Sequence, residues 1–302
     1  MDDATRVAIL GATGHIGQAL ASELAPRVSL ALYARRPDVA RVFATTLSPV
    51  PEVHDLNDLP SRSHDAVVSC IGHGDPAAAG DPAIFDQVTR HADDLAMRYL
   101  ELHDDAVLIN MSSGAAYCSE FVEPARGGDL PAGCTTVDAY ARAKWASEAR
   151  HRACADAPII DLRVFGFFSR YINVDSTYLM ADIARALRSG RPLQTSASDF
   201  TRDYVAPADL AALVLACSAA SSRNVAYDVY SAGEVRKSEI LSAFAERFGL
   251  TYSVAESKGD ACVSRANYYS LDRRAGETGY RPARTSIETL EEEMTALLMR
   301  VG

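Results

Sequence analysis

Apolar residues in the first half of the chain fall in short continuous runs rather than alternating ones. Val7-Ala8-Ile9-Leu10, Val28 to Tyr33, Ala66 to Ile71, Ala106 to Met111 and Ile159 to Phe165 each read as a buried strand. Between them lie helical stretches, one opening at Ile16, one from about Ile84 to His103 and one from Thr136 to Cys154. Strands alternating with helices imply right-handed crossovers and a parallel sheet covered on both faces, an α/β doubly wound architecture. A ligand then belongs at the carboxyl ends of the strands. Two loops rich in glycine, proline and aspartate, Gly72 to Pro82 and Pro124 to Gly133, are candidates to line it.

Beyond Gly166 the pattern loosens. Helices are expected over Tyr178 to Arg188, Pro207 to Ala220, Lys237 to Phe248 and Ser286 to Met299, with strands near Tyr204 and over Ala226 to Tyr230. The remainder reads as a smaller cap on the sheet domain.

Composition narrows the setting. With 302 residues, 48% of them hydrophobic, the chain can bury a large core. A formal net charge of −10 and the lack of a dense basic cluster argue against nucleic acid or an anionic membrane as partner. The six cysteines, at positions 70, 118, 134, 154, 217 and 262, show neither CxxC nor paired spacing, so free thiols in a reducing cytosol are expected, with no zinc or other metal site. The acidic start Met1-Asp2-Asp3 does not resemble a secretory signal and no apolar run reaches membrane-spanning length, which makes a soluble cytoplasmic protein the expectation.

Three segments carry chemistry. Gly11-Ala12-Thr13-Gly14-His15-Ile16-Gly17 follows the first strand directly, a GxxGxxG turn whose backbone N–H groups and helix end can hold a dinucleotide pyrophosphate. Tyr140 and Lys144 lie four residues apart on one helical face, where an ammonium favours the phenolate and makes tyrosine usable for proton transfer. Between these motifs, the strand Ala106 to Met111 runs into Ser112-Ser113-Gly114, where a third polar group would stand.

In this order and spacing the chain resembles the extended short-chain dehydrogenase/reductase family, the NAD-dependent epimerase/dehydratase group that acts on nucleotide sugars. The resemblance extends over nearly the whole length, through Leu162-Arg163-Val164-Phe165-Gly166-Phe167-Phe168, Thr201-Arg202-Asp203-Tyr204-Val205 and Leu271-Asp272 to Gly279-Tyr280-Arg281-Pro282. It implies a Rossmann domain over residues 1–165 plus about 205–231, and a discontinuous α+β substrate-binding cap over about 166–204 plus 232–302. It also implies Tyr140 as general acid/base and Lys144 as the group that lowers its pKa and bonds the nicotinamide ribose. Ser113 would hold the substrate oxygen; it is preferred to Ser112 because Ser113-Gly114-Ala115-Ala116-Tyr117 matches the family's Ser/Thr-x-x-x-Tyr segment. A homodimer through the helices Ile84 to His103 and Thr136 to Cys154 is implied as well.

The cofactor side reads as Gly11, Thr13, Gly14, His15, Ile16 and Gly17 with Ile71 and Gly72, besides Tyr140 and Lys144. After the second strand, Ala34 occupies the place where an NAD site would put an acid, and Arg35 and Arg36 follow. A guanidinium fork suits a 2′-phosphate that a carboxylate would repel, so NADP(H) is favoured over NAD(H). Asp55 is placed by family analogy at the adenine amino group, or is an ordinary turn aspartate.

Relatives that dehydrate nucleotide sugars carry Asp-Glu where this chain has Gly114-Ala115, which cannot move protons. Elimination is therefore not expected. Net reduction of a nucleotide-linked keto sugar is favoured, with an epimerase that retains its cofactor and a non-catalytic NADPH-binding sensor as alternatives. Cys118 leaves an epimerase pair open but is more readily packing. On the substrate side, Arg202 and Arg265 match positions that bind a nucleotide diphosphate, and Tyr171 and Asn173 are pocket candidates. Gly166 and the Ser169 to Asn173 stretch depart from the family's usual Asn and Gly-Pro loop, which leaves the nucleotide open.

Overall fold

The computed structural model describes residues 5–72, 81–219, 223–255 and 265–300. Most of the Gly72 to Pro82 loop and Cys262 lie outside them.

The main sheet is assembled from β1 (Arg6–Leu10), β2 (Ser29–Ala34), β3 (Glu52–Asp55), β4 (Ala66–Ser69), β5 (Val107–Ser113) and β6 (Ile159–Val164). A seventh strand comes from far downstream, so four short ones intervene: β7 (Gly166–Phe167), β8 (Leu193–Ser196), β9 (Thr201–Arg202) and β10 (Tyr204–Val205) precede β11 (Val225–Asp228). The sheet order is β11-β6-β5-β4-β1-β2-β3, all parallel. Chain order therefore reverses between β1 and β4, and the crevice at their carboxyl ends is where doubly wound sheets bind ligands.

Alternation along each strand feeds two apolar cores. Val7 and Ile9 point with Leu32, Val68 and Ile109 toward α1 (His15–Leu24) and, past α2 (Pro37–Ala44), α3 (Ala83–Leu102), α4 (Ala139–Ala153) and α5 (Leu179–Ser189) in chain order, toward α6 (Pro207–Ser218). Ala8, Leu10, Tyr33 and Leu108 point the other way, toward Tyr99 and Leu100 of α3. A separate core joins α5 to α7 (Lys237–Phe248) and α8 (Ser286–Met299) around Ile183, Phe244, Leu290 and Met294. Each such side chain, removed from water, stabilises by roughly 1.5–3 kcal/mol. The last three strands, β12 (Val235–Arg236), β13 (Tyr252–Ala255) and β14 (Asn267–Tyr268), form small sheets; β9 lies between β12 and β14, pairing Arg202 with Tyr268. Among the described residues no helix is long and apolar enough to cross a membrane.

One sequence expectation is corrected here. Cys118 and Cys134 form a disulfide, with Cα atoms 5.6 Å apart across a separation of 16 residues. Cys118 sits in the left-handed region (φ 51°) after the 3-10 turn Gly114–Tyr117, which reverses the chain and returns the irregular loop to it. That reversal has no periodic signature, so the pairing was illegible. Cys70, Cys154 and Cys217 are free thiols, but the Cys118–Cys134 bond removes the ground for expecting a reducing compartment.

Candidate active site

The glycine-rich turn is built by close backbone contacts. Gly11 adopts φ +77°, and a Cβ there would stand 3.1 Å from the backbone of Cys70 and Ile71. A Cβ on Gly17 would lie 2.3 Å from the Gly11 carbonyl oxygen, so α1 can start this close to β1 only with glycine. The N-cap of α1, Gly14, brings no side-chain cap, which leaves the first-turn N–H groups facing the crevice end of the sheet. His15 packs edge-on to Phe167 at 5.0 Å, and its Nε2 accepts a hydrogen bond from the Ser169 N–H at 3.1 Å, tying the turn to the segment after β7. Burial lowers its pKa to about 4, so the imidazole is neutral.

At the end of β2, Ala34 is buried and in register with Asp55 of β3. Arg35 and Arg36 are exposed, and among the described residues neither guanidinium has a hydrogen bond or ion pair. Asp55 Oδ1 accepts from the backbone and side-chain nitrogens of Asn57 at 2.9 and 2.8 Å, capping the turn that follows.

Strand β5 delivers two serines to opposite sides. Ser112 donates to Glu148, which also holds the buried Arg163. Ser113 faces the other way, its Oγ 2.9 Å from the Tyr268 hydroxyl. Tyr140 enters from the first turn of α4, its ring edge-on to Phe85 at 5.7 Å. Burial pushes the Tyr140 pKa up, while Ser113 and the Arg265 guanidinium act to lower it and Asp138 acts to raise it. Lys144 is buried one turn along, donating from Nζ to the Met111 carbonyl at 2.8 Å beside Gly72. Burial lowers the Lys144 pKa against the nearby carboxylates of Asp93, Asp161 and Glu148. The Arg265 guanidinium thus favours the Tyr140 phenolate, a part that the sequence reading gives to Lys144.

Arg202 and Arg265 converge. Arg202 Nη1 donates to the carbonyl of Arg265 at 2.7 Å, and the two guanidiniums lie 5.8 and 5.4 Å from the Tyr268 ring centroid. Arg265 is ion-paired with Asp138, the residue whose other oxygen caps α4. Two further sequence candidates are placed elsewhere. Tyr171 bonds Ser22 of α1 at 2.5 Å and packs on Phe43 of α2 and Arg300, so its hydroxyl is committed to a helix flank and not to the Ser113 cluster. Asn173 is exposed and closes its own turn, accepting from the Asp175 N–H. The structure thus does not bring either residue to the Ser113 cluster.

The two glycines that depart from family pattern have steric reasons. A Cβ on Gly166 would sit 2.5 Å from the Asp203 carbonyl oxygen across the β7–β10 pair, so an asparagine cannot stand there. A Cβ on Gly114 would sit 2.4 Å from the Phe165 ring. Phe165 belongs to an aromatic cluster with Phe121, Tyr117 and Tyr268, and this cluster fills the space an acidic side chain would need.

Tyr268, Asp138 and Phe165 were not singled out from sequence. Only Asp138, an Asx residue just ahead of a helix, carried a local signal.

A sequence model of the NAD dependent epimerase/dehydratase family matches residues 7–233. The chain belongs to that family. Among solved structures of similar fold is MoeE5 in complex with UDP-glucose and NAD, 19% identical, covering 98% of this chain and 100% of that one at a TM-score of 0.80. UDP-glucuronic acid 4-epimerase from Bacillus cereus, solved with a fluorinated UDP-sugar and NAD, is 14% identical over 99% of this chain and 100% of its own, at 0.81. ADP-L-glycero-D-manno-heptose-6-epimerase from Helicobacter pylori is 13% identical over 99% and 98%, at 0.78. At such identities the likeness is one of fold. No protein in the curated collection matches the chain significantly in sequence. Within this epimerase/dehydratase fold, the turn Gly11 to Gly17 is a close-packed backbone turn, and the uncapped N–H groups at the start of α1 suit a dinucleotide pyrophosphate.

Proposed function

We propose that this chain is an NADPH-dependent reductase of a nucleotide-linked keto sugar. The observation that carries the cofactor choice is the pair Arg35 and Arg36, exposed beside Ala34 at the end of β2, their guanidiniums without an ion pair or hydrogen bond among the described residues. Two exposed guanidinium forks suit a 2′-phosphate, and net reduction draws on NADPH. In this reading NADPH, when bound, supplies hydride to the carbonyl carbon.

The chain's own groups do the rest. Tyr140 gives its proton to the forming alkoxide, and its raised pKa keeps it protonated near neutrality. Ser113 donates a hydrogen bond to the same oxygen, and Arg265 and Arg202 hold the diphosphate. Lys144, beside Gly72, would reach the nicotinamide ribose from the floor of the crevice. Gly114 packed under Phe165 argues against elimination, because an acid at that place has no room. A homodimer through the packed helices α3 and α4 is part of the reading, and a monomer mass by light scattering would remove it.

A second reading, epimerisation with retained cofactor, is favoured by the named neighbours, two of which are epimerases, one of them solved with NAD. The two are separated with NADPH deuterated at the transferable position and a panel of nucleoside-diphosphate 4-keto-6-deoxy sugars. A product sugar carrying deuterium at the former carbonyl carbon supports the reductase. An unlabelled isomer supports the epimerase.

A further inference from the structure

We propose that Tyr268 is a positioning residue, whose hydroxyl orients the Ser113 hydroxyl so that Ser113 offers its own proton to the substrate oxygen. The inference rests on the carbonyl-reduction reading but concerns a residue that reading does not require.

Ser113 has one proton to give and two acceptor positions. The Ala115 N–H occupies one at 3.2 Å. The Tyr268 hydroxyl lies 2.9 Å from the same oxygen, and its ring is buried against Phe121 at 4.8 Å and Phe165 at 5.2 Å. Burial pushes the Tyr268 pKa up to about 12, so the phenol keeps its proton at neutral pH. A buried O–H left without an acceptor is costly, and Ser113 Oγ is the acceptor at hand. With both acceptor positions filled, the proton of Ser113 is the one thing it has left to give. Without Tyr268, the serine could instead accept from Tyr140, which would leave the proton donor pointing at the wrong partner.

The frame around Tyr268 fixes this geometry from both sides. Strand β14 holds the ring in register with Arg202, and Arg265 lies beside it, tied through Asp138 to the helix that carries Tyr140. Phe165, lodged against Gly114, closes the space behind the ring.

The test is a double-mutant cycle of Tyr268→Phe and Ser113→Ala, since phenylalanine preserves the aromatic packing. With UDP-4-keto-6-deoxyglucose as probe, Tyr268→Phe should lower kcat about ten- to a hundredfold with KM changed less than about threefold. In the Ser113→Ala background the same substitution should cost almost nothing. A readout without substrate runs beside it: protein labelled with 13C at tyrosine Cζ, the Tyr140 signal assigned by its loss in Tyr140→Phe. At pH 7.5 this signal should move in Tyr268→Phe and stay put when Tyr268→Phe is added to Ser113→Ala. An unmoved signal, or an equal cost in both backgrounds, overturns the proposal. A coupled signal in a protein that reduces no keto sugar keeps the Tyr268 link and removes the reductase reading.

Discussion

Asp138 serves α4 and Arg265 with one carboxylate: Oδ1 accepts from the Ala141 N–H at 3.1 Å while Oδ2 pairs with the Arg265 guanidinium. The helix that brings Tyr140 and Lys144 is thereby tied to the arginine flanking Tyr268, across 127 residues of sequence. Asp138→Asn keeps the cap and loses the charge, so its Tm should stay near that of the parent. Asp138→Ala loses both and should fall by about 1 kcal/mol, or about 2–4 °C. Both variants should raise KM for a nucleotide sugar, because Arg265 loses its anchor. Equal Tm values with unchanged KM would refute this coupling.

Arg35 and Arg36 supply the cofactor prediction. Replacing both with alanine should weaken NADPH by at least about tenfold and leave NADH nearly unchanged, as read by fluorescence titration, because only the phosphorylated ribose uses the forks. An equal loss for both cofactors contradicts the 2′-phosphate reading.

The His151–Asp161 pair predicts a pH dependence of stability. Burial alone would lower the His151 pKa, but the Asp161 charge and hydrogen bond, with Asp93, raise it to about 10 from 6.5. A folded-state pKa above the unfolded value stabilises fully below pH 6.5 and is lost as pH rises through about 10. Tm should therefore decline between those limits, and His151→Gln should flatten the decline. An unchanged slope in that variant would remove His151 as its source.

For Cys118–Cys134, the closed loop predicts a contribution of roughly 3 kcal/mol. Thiol titration of the denatured protein should rise by two on reduction, and reductant should lower Tm. An unchanged thiol count would contradict the bond.

What could be read from sequence was what lies close in sequence. The turn Gly11 to Gly17, the strand runs and the Tyr140/Lys144 spacing each declare themselves within a few residues, and the structure places them at one end of one sheet. Tyr268 lies 155 residues from Ser113, next to an equally plausible Tyr269, and only the β9–β14 register selects it. Tyr171 shows the converse: an aromatic residue in a suggestive stretch is drawn to Ser22 and Phe43 by helix packing that no local pattern announces. Gly114 and Gly166 were visible as departures, but the backbone and ring that demand them are apparent only in three dimensions.

The central claim is tested most directly by NADPH consumption against nucleoside-diphosphate 4-keto-6-deoxy sugars, with the products weighed by mass spectrometry and Tyr140→Phe as control. The account predicts stoichiometric NADPH loss, a product heavier by two hydrogens, and no turnover in the variant that still binds NADPH. An isomer of unchanged mass with no NADPH consumed, or full activity in Tyr140→Phe, would contradict it.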